Sequence, residues 1–293
     1  MSEGYYTRRL KETGNQVEFH FFEPELLAYY REHPDYDACS SHLYGNGSMI
    51  QNIYWGRTER NVPCIAVLLA HLCGLSPKEQ DRWRCSELDD SEKAKVDSRY
   101  RSQIIDGDWP SRIISFEAIF LYAREINSIF SGEGDSMFQN CPNTNMLPDF
   151  LMPLAHNAER SLVRFAQDLD TFLQPNLKLL ESRITNEDHK EKAKIARSMG
   201  QTRNLMRLYF EDSGVMTPEI SDGLETFKRL SKLRQQSAHT LVAAEGGKDY
   251  REVQSKLAVD AQAALKAMLV GAVIAENAPD DGYRNFVLSL EVE

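Results

Sequence analysis

The chain has 293 residues, 42% of them hydrophobic and 27% charged, with a formal net charge of −10. That length suits one large domain or two ordinary ones, and the composition is that of a folded protein rather than a disordered one. The acidic balance excludes a protein that coats nucleic acid nonspecifically, which takes a surplus of Lys and Arg, but it leaves room for a local basic groove.

The longest apolar run, residues 65–70, is far short of the roughly 20 residues a bilayer-crossing helix takes, so no membrane span is expected. Residues 1–6 carry no apolar signal core, which argues against export and for a cytoplasmic protein. Five cysteines (Cys39, Cys64, Cys73, Cys85, Cys141) are odd in number and never spaced C-x-x-C. They read as reduced thiols filling the place of small apolar residues, not as a disulfide framework or a zinc site.

The first 130 residues read as a mixed α/β domain. Residues 17–22 form a strand; Glu23-Pro24-Glu25 then opens a short helix through Tyr30, stopped near Pro34. Residues 45–48 (Gly-Asn-Gly-Ser) are a hairpin turn, residues 48–55 a second strand, and residues 64–72 an apolar strand or the start of a buried helix. Ser76-Pro77-Lys78-Glu79 opens a helix, with a capping hydroxyl, proline in the first turn and an early acid. Residues 87–101 are charged and surface-lying, and residues 100–105 are an edge strand. A helix over 115–129 follows, and the turn formers of residues 131–143 mark the domain boundary.

From 148 to 280 every segment has helical period, which predicts a bundle of four or five helices and an α+β protein overall. Leu154, Ala158, Leu162, Phe165, Leu169 and Phe172 recur at spacings of three and four. Ile220, Leu224, Phe227, Leu230 and Leu233 form a second stripe; Val253, Leu257, Ala261, Ala264, Met268 and Ala272 form a third. Gly200, Gly214 and Gly246-Gly247 punctuate the run.

The second stripe leads into Leu233-Arg234-Gln235-Gln236-Ser237-Ala238-His239. An Arg followed by a polar residue, then a His after four to six positions, late in a helical bundle, resembles the HEPN superfamily. That resemblance covers residues 150–275 and implies a metal-independent ribonuclease with Arg234 and His239 as catalytic residues, no cofactor and no metal. The chemistry is coherent: histidine titrates near neutrality and can move the 2′-hydroxyl or leaving-group proton, while the guanidinium fork matches the oxygens of a developing phosphorane. A rival pair, Arg183 and His189, has an apolar residue after Arg and two acids beside His, and ranks lower.

Five positions along a helix rotate about 140°, so one copy does not point both side chains together. HEPN nucleases meet this by dimerising across a shared cleft, and a homodimer is expected here. No acid occurs between residues 226 and 240, and Lys228, Arg229, Lys232, Arg203 and Arg207 are candidates to hold RNA phosphates, with Arg197 nearby; a solvated face is the bland reading of the lysines and Arg229. In related two-component toxin systems a Tyr two positions after the His is modified by a partner; Leu241 stands there, so that control is not implied.

Other constellations carry less. His20, Glu23 and Glu25 lack a second His at ligand spacing, Asp97, Asp106 and Asp108 read as surface loop, and no G-x-S-x-G, Walker or H-E-x-x-H motif occurs. Residues 75–83 are similar in phrasing to segments of long uncharacterised bacterial proteins that precede an R-x4-H helical module. The expectation is therefore an α/β sensor or partner-binding domain joined to a HEPN-like ribonuclease, acting on RNA in bacterial defence or toxin–antitoxin growth arrest. An antitoxin or defence-complex partner would act through the N-terminal part. The alternative is an inactive HEPN-like scaffold for dimerisation or RNA binding.

Overall fold

In the computed structural model the chain is α+β, with short antiparallel strands in its N-terminal part and helices in its C-terminal half. The structure describes residues 3–38, 43–45, 48–50, 52–60, 62–89, 93–96, 112–113, 115–130, 136–142, 147–154, 156–235, 249–279 and 281–292. The chain divides into two compact units, Met1–Pro110 with Met152–Asn157, and Ser111–Leu151 with Ala158–Glu293.

The first unit is built on an antiparallel four-stranded sheet in the order Phe19–Phe22, Pro63–Leu68, Tyr54–Arg57, Lys95–Val96. In Phe19–Phe22, strand alternation buries His20 and Phe22 on one face, while Phe19 and Phe21 pack on the other beside Tyr54, Ala66 and Leu68. The central strand Pro63–Leu68 is buried at every position and runs directly into the helix Leu69–Leu72, so the expected strand and the expected helix start are both present. The single strand expected over 48–55 is instead two. Ser48–Ile50 pairs with Leu43–Gly45 in a separate three-stranded sheet, and Tyr54–Arg57 pairs with Pro63–Leu68. The register Gly45↔Ser48 leaves a two-residue connection, as the hairpin reading requires. Helices Tyr5–Thr13, Glu25–Glu32 and Pro77–Cys85 cover one face and bury Tyr6, Leu27, Tyr30 and Trp83. The Ser76 hydroxyl caps the last of these by accepting the Glu79 N–H at 3.3 Å. The edge strand expected over 100–105 lies outside the described residues.

The second unit begins before the helix Ser115–Phe130, not after it, which moves the expected boundary from 131–143 to 110. The reason is packing: Ile119, Tyr122, Ala123, Ile126 and Phe130 form a buried stripe along the helix Tyr250–Ala275. Around this pair stand Glu159–Phe172, Leu177–Arg183, Glu187–Ser198, Thr202–Asp212, Pro218–Gln235 and Gly282–Ser289. Leu154 and Ala158 precede the helix their stripe suggested, which starts at Glu159 with Ala158 as its N-cap. A short parallel pairing of Arg112–Ile113 with Glu291–Val292 joins the two ends of the unit.

Tyr250–Ala275 is long and apolar enough to cross a bilayer, contrary to the expectation of no such segment; half of its most apolar window is buried inside the molecule. Asp260, Gln262 and Lys266 interrupt it, so no unbroken apolar run marks it in the sequence. Leu257, Ala261, Leu265, Met268 and Ala272 are buried, as befits a central helix between Ser115–Phe130 and Pro218–Gln235. The approach to Pro218–Gln235 is so close that a Cβ on Gly223 would lie 2.9 Å from the Ala264 Cβ.

Candidate functional site

The helix Pro218–Gln235 starts where the Thr217 hydroxyl accepts the Ile220 N–H at 3.3 Å, with proline at its first position. Ile220, Leu224, Phe227 and Leu230 are buried as their spacing predicts, and Leu233 is half-buried. At the C-terminal end Phe227, Leu230, Ser231 and Arg234 share one face, at spacings i, i+3, i+4 and i+7. That face looks onto the end of Glu159–Phe172 and the start of Thr202–Asp212 across a cavity of about 520 Å³.

Asp170 organises one wall. Its Oδ1 accepts the Ser231 hydroxyl at 2.7 Å, and its Oδ2 receives Arg234 at 2.8 Å. Both carboxylate oxygens are therefore engaged by one helix face, and the Arg234 guanidinium, about half exposed, is steered along the cavity. The opposite wall is positioned by a glycine turn. Gly200 at φ +62° closes Glu187–Ser198: its N–H bonds the Arg197 carbonyl at 3.0 Å and the Gln201 N–H bonds the Ala196 carbonyl at 2.7 Å. The next helix then begins with Gln201, Thr202, Arg203 and Asn204 lining the cavity. Leu173, Pro175, Phe227 and Leu230 give it a buried apolar floor.

Of the residues expected to bind RNA, Arg203 lines this cavity and lies 3.7 Å from Glu225. Lys228 pairs with Glu225 at 2.9 Å; that hydrogen bond, with the charges of Arg203 and Arg207 nearby, holds the Glu225 carboxyl below the usual carboxylate range. Arg229 turns away to Asp260 at 2.9 Å, and Lys232 is exposed outside the cavity lining. Lys228, Arg229 and Lys232 thus do not line the cavity with Arg234. Arg197 sits on Glu187–Ser198, the helix before the one that carries Arg203 and Arg207, and pairs with Glu181 at 2.6 Å. His239 lies outside the described residues.

The rival residues Arg183 and His189 each face an acid: Arg183 is 3.2 Å from Glu276, and His189 Nδ1 is 3.2 Å from Asp212. Asp212 also accepts the Thr185 N–H and hydroxyl and the Asn186 N–H, so this His belongs to a joint between helices. In the first unit, His20 is buried with Nδ1 on Glu87 and Nε2 3.7 Å from Glu18, and Tyr6 donates to Glu87 at 2.9 Å. No group of three or more His, Cys, Asp or Glu able to hold a metal occurs among the described residues.

Asp170, Ser231 and the carboxamides of Gln174, Gln201 and Asn204 escaped the sequence reading, which used Gln235 only as the polar residue after Arg234. Ser231 could have been found by helical spacing from Arg234. Asp170 could not, because nothing local links it to a residue so far along the chain. No protein-family model, curated protein or solved structure matches this chain.

Proposed function

We propose that the chain is a metal-independent endoribonuclease of the HEPN kind, working in the cytoplasm in bacterial defence or growth arrest. The observation that carries this reading is Arg234 at the edge of a polar cavity, its fork steered by Asp170 and a second cation, Arg203, on the facing wall. His239 follows five residues later, as the motif requires. In the proposed step the RNA 2′-hydroxyl loses its proton to a base and attacks phosphorus. The 5′-oxygen leaves with a proton from an acid, giving a 2′,3′-cyclic phosphate and a 5′-hydroxyl. His239 supplies one of these transfers, and Arg234 neutralises the charge that gathers on the non-bridging oxygens. A second copy supplies the facing pair, so the working form is a homodimer; an antitoxin or defence partner acts through the first unit.

The test is total RNA incubated with the full chain in the presence of a chelator, comparing wild type with His239→Ala. The reading predicts fragments ending in cyclic phosphate from the wild type alone. Equal patterns from both chains would sink it. A scaffold without catalysis is the second reading. It is favoured by the acids that face Arg234, Arg229, Lys228 and Arg203, since ion pairs give those cations a structural task.

A further inference from the structure

We propose that the cavity beside Arg234 is a base-reading subsite, which takes one nucleobase of a single-stranded RNA next to the phosphate held by Arg234. This deepens, and rests on, the nuclease reading. The cavity, about 520 Å³, falls in the range of small-molecule sites. Its floor of Leu173, Pro175, Phe227 and Leu230 offers a flat ring an apolar face. Its wall includes the carboxamides of Gln174, Gln201, Asn204 and Gln235, a side-chain type that carries N–H donors beside a carbonyl acceptor.

That pairing is the complement of a base edge, where a ring nitrogen or carbonyl acceptor sits beside an amino or imino donor. Asn204 Nδ2 donates to Gln201 Oε1 at 2.7 Å and Gln201 Nε2 donates to Met199 Sδ at 3.4 Å, which sets these two as a unit and leaves the Asn204 carbonyl and the second N–H of each amide for a base. Gln174 and Gln235 are exposed where they line the cavity. Among the described residues the charged groups lining the cavity are Asp170, Arg203 and Arg234, and both Asp170 oxygens are taken by Ser231 and Arg234. The lining thus combines two arginines, Arg234 paired with Asp170 and Arg203 only 3.7 Å from Glu225, with carboxamides on the wall and an apolar floor. A lipid tail has no use for the carboxamides, a neutral sugar none for the arginines, and a metal ion finds a single carboxylate among the described residues. A nucleotide uses all three features.

The experiment titrates the full chain, carrying His239→Ala so that nothing is cut, with AMP, GMP, CMP, UMP and inorganic phosphate by calorimetry. The expected result is that nucleotides bind more tightly than phosphate, with at least about a tenfold spread between bases, the discrimination one good bidentate contact gives. Asn204→Ala with Gln201→Ala should collapse that spread; Gln235→Ala, on the exposed rim, is the second variant, and thermal melts confirm that both fold. Cut sites mapped on total RNA by the wild type should carry the preferred base beside the broken bond. Four nucleotides binding alike, none binding, a spread that survives both variants, or cut sites with no base preference would each overturn the proposal. The titration needs no catalysis: binding without cleavage would defeat only the nuclease reading, and cleavage without discrimination only the subsite.

Discussion

Arg234 pairs one N–H of its fork with Asp170; in the proposed nuclease the remainder would hold a phosphate, and Asp170 would act as a positioning residue. Asp170→Asn keeps the shape and an acceptor for Ser231 but loses the charge that steers the guanidinium. Steady-state cleavage should show kcat lowered about tenfold, a loss of about 1.4 kcal/mol in transition-state stabilisation, with KM nearly unchanged. The accompanying loss of stability should stay within about 1 kcal/mol in a denaturant melt, because the pair is partly exposed. A change confined to KM would contradict the positioning role. The cysteines also separate at this scale. Burial pushes the thiols of Cys64 and Cys141 up to about 12, whereas Cys85 is exposed. Alkylation of the native chain at pH 8 followed by peptide mapping should label Cys85 and spare Cys64 and Cys141, since the thiolate is the reactive form. Sequence alone treated all five thiols as equivalent small apolar residues, and exposure is what divides them.

At the scale of elements, the joint between Leu177–Arg183, Glu187–Ser198 and Thr202–Asp212 is held by Asp212. Burial presses this carboxyl toward its neutral form. The N–H groups of Thr185 and Asn186, the Thr185 hydroxyl and His189 outweigh that and hold it below the usual carboxylate range. A depressed folded value means that the stabilisation is fully present above the unfolded carboxylate value of about 4 and fades as pH falls through the folded one. Urea melts should therefore show Asp212→Asn less stable than wild type at pH 6, with the gap closing as the pH drops toward 2. A gap independent of pH would rule out this role. The crossing of Pro218–Gln235 and Tyr250–Ala275 is a second element-scale case. Gly223→Val would drive side-chain atoms into Ala264, and a loss of about 1–3 kcal/mol is expected from overpacking; an unchanged melting temperature would contradict the close approach. The helices themselves were legible because their apolar residues keep a 3.6 period and their ends carry Thr217-Pro218, Gly200 and Gly214. The short strands were less so: Ser48–Ile50 and Tyr54–Arg57 are contiguous in pattern, and only their partners assign them to different sheets.

For the whole molecule, the α+β class followed from periodicity, but the place where the chain divides did not. Turn-forming residues at 131–143 suggested a boundary, whereas the apolar stripe of Ser115–Phe130 finds its partner in Tyr250–Ala275, more than a hundred positions later. Local composition does not encode that pairing. The same limit applies to the candidate site: the motif singled out Arg234, but nothing near it in the chain pointed to Asp170, the acid it pairs with. The claim on which the functional account turns is that Arg234 stabilises charge in RNA cleavage. It is tested most directly by the single-turnover rate on a short RNA, with chelator present, for wild type and Arg234→Ala. The account predicts cleavage by the wild type and a loss of about 100-fold or more in the variant, the scale for removing one preorganised donor. Rates within about twofold of each other, on the scale of less than 1 kcal/mol, would contradict it.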